Sequence, residues 1–321
     1  MKTLCFDRFG GPEVLQIRDL PAPEPKPGHA VVRLQAIGLN FADVYRRKGN
    51  YHLDGKPPYV AGYEGAGVVE SAAADSGLKA GDRVAFADVP RANAELVLAP
   101  ADKLIPLPAG VSFETAAALL LQGLTAQYLT RDSHPMAPGQ DAVVHAAAGG
   151  VGLLLTQIAK LKGARALALV SSEDKRAAAL EAGADEAVLY SGDWAAAARK
   201  FSRDGGGVDV VYDSVGSTLL KSFEAARTGG RVVFYGMAGG DPAPVDPRLL
   251  MDRSLTLTGG DLWNVLRTRE DRVSRAAELF GWVSAGRLSV RVAERFPLAA
   301  GAKAHAFLES RRSIGKVLLL P

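Results

Sequence analysis

The sequence predicts an α/β protein in which a doubly wound parallel sheet is joined to a β-rich domain. Three observations lead there. The 321 residues correspond to about two domains at roughly 150 residues each. Up to about Val111 the chain carries short apolar or alternating runs split by Gly- and Pro-rich breaks, such as the stretch over residues 21–28. From Ser112 onward strand-like and helix-like runs alternate, a rhythm that calls for parallel strands covered by helices on both faces.

In the first part, residues 30–37, 65–69, 82–86 and 95–98 read as strands, being short, rich in β-branched or alternating residues and bounded by turn formers. Ser112 stands where it would cap a helix over 116–129, with Glu114 in the first turn suiting the helix dipole. The alternating series then runs strand 142–146, helix 151–162 ended by Gly163, strand 166–170, and helix 173–182 ended by Gly183. Strands at 187–190, 208–214, 231–235 and 255–258 follow, with helical candidates between them. A helix over 270–285 and short strands near 289–293 and 316–320 complete the chain. Periodicity alone would attach this tail to either domain.

Composition excludes several classes. The chain is 48% hydrophobic and 23% charged, and its 35 Gly and 18 Pro follow no collagen-like period, as in ordinary globular proteins. The net charge of +3 comes from scattered residues, so no dedicated nucleic-acid surface is expected. One cysteine, Cys5, precludes an internal disulfide and any zinc site built from several thiolates, and points to a reducing, cytoplasmic setting. No run approaches the roughly 18 apolar residues of a membrane span, and the first ten residues lack the apolar core of a secretory signal.

The strongest local signal is Val143-Val144-His145-Ala146-Ala147-Ala148-Gly149-Gly150-Val151-Gly152, an apolar strand entering a glycine-dense turn and then an amphipathic helix. Ala147, Gly149 and Gly152 fill the three small-residue positions of a dinucleotide-binding turn, where the chain bends tightly, approaches pyrophosphate and packs helix on strand. The helix start would direct free N–H groups at the phosphates. About 20 residues on, a carboxylate would hold the ribose hydroxyls of NAD. Here Ser171 and Ser172 stand instead, with Lys175 one helical turn later and Tyr190 ending the next strand. That set suits a 2′-phosphate and favours NADPH, although Glu173 and Asp174 flank the lysine.

Four stretches coincide: Gly38-Leu39-Asn40-Phe41-Ala42-Asp43-Val44-Tyr45, Gly62-Tyr63-Glu64-Gly65-Ala66-Gly67, Lys79-Ala80-Gly81-Asp82-Arg83-Val84, and the phosphate turn. Together they resemble the medium-chain dehydrogenase/reductase superfamily. Phe113-Glu114-Thr115-Ala116-Ala117-Ala118, Gly123-Leu124-Thr125, Val211-Tyr212-Asp213-Ser214-Val215-Gly216 and Leu308-Glu309-Ser310-Arg311 narrow the resemblance to its quinone oxidoreductase, zeta-crystallin-like branch.

The resemblance implies a GroES-like β-rich catalytic domain from residues 1–122, completed by 262–321, and a Rossmann NADPH-binding domain at 123–261, with the active site in the cleft between them. It implies cofactor contacts from Phe41, Ala42, Asp43, Val44, Tyr45, Thr125, Tyr128, Gly149, Gly150, Val151, Gly152, Ser171, Lys175, Tyr190, Val215, Ala238, Gly239, Gly240, Asp241, Leu262, Trp263, Asn264 and Arg311. Tyr45, taken as lying beside a turn, and Asn40 are the candidates for orienting substrate oxygen, with Tyr128 as a third. A homodimer is expected, pairing through an edge strand near residues 255–258.

The same resemblance supplies a test of mechanism. Zinc alcohol dehydrogenases of the superfamily carry a cysteine in the region of Asn40 and Gly-His-Glu where this chain has Gly62-Tyr63-Glu64. The five histidines are dispersed, so no alternative imidazole site is indicated, and His145 is read as orienting the phosphate turn. Without a Lewis acid the chemistry favours an electron-poor acceptor: a quinone, or alternatively an enone or alkenal. A catalytically weak NADPH-binding protein of the crystallin or RNA-binding type is a further alternative. Glu64 is expected to be structural and paired with an arginine. The chain departs from the branch pattern at Asn93 and Leu96, where relatives often have tyrosines, at Gln122, at residues 71–74, and at Trp263.

Overall fold

The computed structural model describes residues 1–53 and 55–321. Two compact units result, one from Met1–Leu124 with Leu266–Pro321 and the other from Thr125–Val265.

The first stretch contains β1 (Lys2–Phe6), β2 (Gln16–Asp19), β3 (His29–Leu39), α1 (Phe41–Lys48), β4 (Tyr59–Val60), β5 (Gly65–Ala72), β6 (Arg83–Phe86), β7 (Leu96–Pro100), β8 (Ile105–Pro106) and the start of α2 (Phe113–Tyr128). β3 is its backbone. Arg33 and Gln35 are exposed while Val32, Leu34 and Ala36 are buried, the two-residue period of a strand with one wet face. Gly67 lets β5 lie close to β3, since a Cβ there would fall 2.0 Å from the Arg33 carbonyl. Ser112 Oγ accepts the Thr115 N–H at 3.0 Å and caps α2.

The sequence patterns miss β1, β2, β4, β8 and α1. The strands are short, and β2 reads Gln-Ile-Arg-Asp, without apolar alternation. α1 is set by its ends. The Asp43 carboxylate accepts the Asn40 N–H at 2.9 Å, Gly49 closes the helix at φ +83°, and Arg46, Arg47 and Lys48 suit its negative end. Tyr45, expected beside a turn, is therefore mid-helix.

The second unit holds β9 (Asp141–Val144), α3 (Gly150–Leu161), β10 (Arg165–Val170), α4 (Glu173–Glu181), β11 (Glu186–Leu189), α5 (Trp194–Phe201), β12 (Val208–Asp213), α6 (Leu219–Ala225), β13 (Ala226–Phe234), α7 (Pro247–Asp252) and β14 (Thr256–Gly259). Its six strands run β11-β10-β9-β12-β13-β14, all paired parallel. The sheet is apolar on both sides: Val143, Leu167, Leu169, Val211 and Val232 are completely buried. The order reverses between β9 and β12, where such sheets open a crevice beyond their carboxyl ends.

The tail supplies α8 (Arg269–Ser284), β15 (Val292–Pro297), α9 (Gly301–Glu309) and β16 (Lys316–Leu320). β16 lies antiparallel to β3 and parallel to β15, so the tail completes the first unit's seven-stranded sheet. β15 begins three residues later than the expected 289. No helix among the described residues is long and apolar enough to cross a membrane.

Candidate cofactor and substrate site

In the second unit the turn after β9 is shaped by what has no side chain. A Cβ on Gly152 would lie 2.4 Å from the Ala146 carbonyl and 2.6 Å from Ala147 Cα, and one on Gly149 would lie 3.1 Å from that carbonyl. Ala147 is fully buried, and its N–H donates to the Leu169 carbonyl at 3.1 Å, fastening the turn to β10. Gly149 is the residue before α3, so no side chain caps that helix. The first-turn amides at Gly150, Val151 and Gly152 and the positive dipole end form a phosphate cradle.

Beside it, Lys175 Nζ donates to Ser171 Oγ at 3.0 Å. The register Leu167↔Val143 and Ala168↔Val144 brings the end of β10 to the same sheet edge as the turn. Tyr190, expected at the 2′-phosphate, also meets the turn. Its hydroxyl accepts the Ala146 N–H at 2.8 Å and lies 3.2 Å from His145 Nδ1, beneath the loop.

The far wall is a second glycine-dependent turn. Gly216 has φ +83°, and a Cβ on it would fall 2.3 Å from the Gly240 carbonyl. Ala238 and Gly239 donate their N–H groups to Ser214 and Val215 at 3.0 and 2.8 Å, bringing Val215 to the stretch that runs from Ala238 to Asp241. Leu262, Trp263 and Asn264 form one 3-10 turn, held by the Asp261 carboxylate on the Trp263 N–H at 3.1 Å. Thr125 and Tyr128 lie on α2. Tyr128 is only 2% exposed, its ring 2.9 Å from where a Gly260 Cβ would stand.

In the first unit the motif after β3 closes on a buried polar network. Lys316 Nζ donates to Glu64 Oε2 at 2.5 Å and to Asn40 Oδ1 at 2.8 Å. Asn40 Nδ2 donates to the same Glu64 oxygen at 2.8 Å and to the Gly38 carbonyl at 3.3 Å. Gln122 Nε2 reaches Asn40 Oδ1 at 3.4 Å, and Glu64 Oε1 accepts the Leu121 N–H at 2.7 Å. Two expectations change. Glu64 pairs with a lysine, not an arginine. Asn40, with both ends of its amide committed, positions α1 and is not disposed to reach substrate.

Phe41 and Tyr45 stay half-buried on α1 with ring centroids 6.2 Å apart, and Tyr51 meets Tyr45 edge-on at 6.3 Å. Asp43 and Val44 face inward, while Ala42 is half-buried. Burial pushes the Asp43 carboxyl up to about 6, against the pull of Arg46 and of the Asn40 N–H. The Arg46 guanidinium lies 3.5 Å from the centre of the Tyr63 ring, a cation–π contact. Arg311 is exposed after α9 with φ +58°. Asn93 stands against Gly62, whose Cβ would be 2.0 Å from its side-chain oxygen.

Sequence reasoning missed Lys316 and Arg46. A lysine opening the run Lys-Val-Leu-Leu-Leu is the only hint of the first.

Zinc does not fit these residues. Tyr63 offers no strong donor where the metal-dependent pattern has histidine, and the Glu64 carboxylate is already met by the Lys316 ammonium. Among the described residues no three His, Cys, Asp or Glu side chains converge.

A β-rich unit built from both chain regions, together with a doubly wound sheet with a phosphate cradle at its switch point, defines a medium-chain dehydrogenase/reductase. Residues 26–141 match the family model of the alcohol dehydrogenase GroES-like domain, and residues 150–279 that of the zinc-binding dehydrogenases. A quinone oxidoreductase of Pseudomonas aeruginosa is 41% identical, with 100% of this chain and 99% of that protein covered. A 2-haloacrylate reductase of a Burkholderia species is 38% identical over 97% and 96%. The crystal structure of Escherichia coli quinone oxidoreductase complexed with NADPH superposes with a TM-score of 0.96, at 36% identity and 100% coverage of both chains. The chain belongs to the quinone oxidoreductase branch of that superfamily.

Proposed function

We propose that this protein reduces quinones with NADPH and uses no metal ion to do so. NADPH, when bound, supplies the hydride. The chain's own residues bind and orient: the amides of Gly150, Val151 and Gly152 meet the pyrophosphate, and Ser171 with Lys175 meets the 2′-phosphate. Val215, Ala238, Gly239, Gly240 and Asp241 line the cradle's other side, with Leu262, Trp263 and Asn264. The family motifs extend the cofactor contacts to Phe41, Ala42, Asp43, Val44, Tyr45, Thr125, Tyr128 and Arg311. Tyr45, half-buried on α1, is the proposed hydroxyl donor toward substrate oxygen.

The observation that carries the reading is the Lys316–Glu64 pair. In a fold shared with metal-dependent alcohol dehydrogenases, it neutralises the retained carboxylate and removes it from metal binding. A carbonyl polarised by no Lewis acid is a poor acceptor, whereas a quinone delocalises the charge it receives. The relative named 2-haloacrylate reductase supports electron-poor alkenes as a second acceptor class.

The test is NADPH oxidation with 1,2-naphthoquinone, benzoquinone and an enone, with and without a chelator. Quinone turnover indifferent to chelation is expected. Activity lost on chelation and restored by zinc would overturn the metal-free reading, and tight NADPH binding with no acceptor reduced would leave a binding role only. The free edge strand β14 supports a homodimer by sheet continuation; sedimentation as a monomer alone would refute it. A single, buried cysteine is compatible with a cytoplasmic setting.

A further inference from the structure

Arg46 is a charge kept out of water, only 4% exposed, and little of it is answered by a carboxylate. Its Nε donates to the His52 carbonyl at 3.0 Å. Asp43 Oδ1 lies 3.6 Å from Nη1, too far for a hydrogen bond, and neither of those two atoms makes one among the described residues. What the guanidinium meets closely is aromatic surface: its central carbon is 3.5 Å from the centre of the Tyr63 ring and 5.0 Å from that of Tyr51. A cation held against a ring is worth more when both are desolvated.

Tyr63 is half-buried, so the cation covers one side of the ring while another part of it reaches the surface. Its backbone is fixed from both sides. The Ala92 N–H donates to the Gly62 carbonyl at 3.1 Å and the Val89 N–H to the Tyr63 carbonyl at 3.3 Å, and the next side chain, Glu64, is locked in the Lys316 network. Tyr51 joins this ring to the acceptor end of α1, since it meets Tyr45 edge-on at 6.3 Å and lies against the same guanidinium. Three half-buried phenols thus gather around one buried cation.

Tyr63 also stands where the metal-dependent pattern has histidine. A phenol is a weak ligand for zinc, but its O–H is a hydrogen-bond donor. A cation on the ring face draws electron density away from the oxygen and strengthens that donor. A quinone has two carbonyl oxygens, and the single O–H of Tyr45 serves only one of them.

We propose that Tyr63 is a second hydroxyl donor toward acceptor oxygen, and that Arg46 is a positioning residue that holds and polarises its ring. The inference rests on the reading of the protein as a quinone reductase. As hydride arrives, negative charge gathers on the acceptor oxygens, and a donor already aimed at them stabilises that charge more than it stabilises the neutral quinone.

The test measures kcat/KM for 1,2-naphthoquinone at saturating NADPH, together with the NADPH dissociation constant, for the wild type, Tyr63→Phe, Arg46→Met and the double variant. Tyr63→Phe removes one oxygen and keeps the ring against the guanidinium. It is expected to lower kcat/KM about tenfold, the worth of one hydrogen bond to a charged oxygen, with NADPH binding kept within about twofold. Arg46→Met is expected to lower kcat/KM about threefold, and to cost little more once the hydroxyl is gone, because it acts through that group. Unchanged quinone reduction by Tyr63→Phe would overturn the proposal, as would an equal loss of NADPH binding, which would make Tyr63 a cofactor contact. Losses that multiply in the double variant would overturn the role of Arg46. Arg46→Lys, which keeps the charge without the flat face, takes the place of Arg46→Met in the same cycle if the latter does not fold. A wild type that reduces no quinone would instead defeat the functional reading beneath.

Discussion

Lys316 Nζ stands 2.5 Å from Glu64 Oε2 with both side chains almost wholly removed from water, at 1% and 0% exposure. Burying two charges is costly, and the pair persists because the remaining donors and acceptors are also met, by Asn40 and the Leu121 amide. Gly38 is part of the arrangement, since a Cβ there would lie 2.3 Å from the same carboxylate oxygen.

Lys316→Met would leave Glu64 charged and unpaired in the interior. A loss of about 3–5 kcal/mol is expected, read from the urea midpoint. Adding Glu64→Gln should recover much of it, because an amide carries no net charge to desolvate. A single variant as stable as the wild type would show that the pair is not what holds the network.

Lys175→Ala should raise the dissociation constant for NADPH about 10- to 100-fold, the worth of a charge-assisted phosphate contact, and leave NADH nearly unchanged. Calorimetry with both nucleotides checks it. Equal effects on the two would remove Lys175 from the 2′-phosphate.

Gly152→Val should abolish binding of both nucleotides, because its first carbon alone would lie 2.4 Å from the Ala146 carbonyl and backbone cannot yield as a side-chain tip does. Retained binding in the folded variant would mean that the turn is not the phosphate site.

Stability should fall as pH drops from about 6.5 toward 4. Burial draws His145 to about 4, and burial with the charge of Arg47 draws His305 to about 3. The unfolded chain takes these protons near pH 6.5 while the folded chain does not, so acid favours unfolding across that window. Asp43 works the other way: its raised value gives stability that is complete below the unfolded range and lost as pH rises through about 6. Two histidines displaced further than one carboxyl should prevail. A urea midpoint unchanged between pH 7 and 4 would contradict this.

The sequence by itself determined the elements that carry their own signal. The strand–turn–helix around Gly149 and Gly152, the alternation beyond Ser112 and the Ser171–Lys175 pair were legible because each rests on spacing within a short stretch. Helix α1 was not, because its cap is a carboxylate three residues on and its face is defined by distant strands. Tertiary structure alone decided that Lys316, 252 residues from Glu64, supplies that carboxylate's partner, that Asn40 joins the same network, and that the Tyr190 hydroxyl accepts the Ala146 amide. The reason is physical: backbone conformation is chosen by neighbours along the chain. The partner of a buried charge or hydroxyl is chosen by which strands and turns the fold brings within about 3 Å of it.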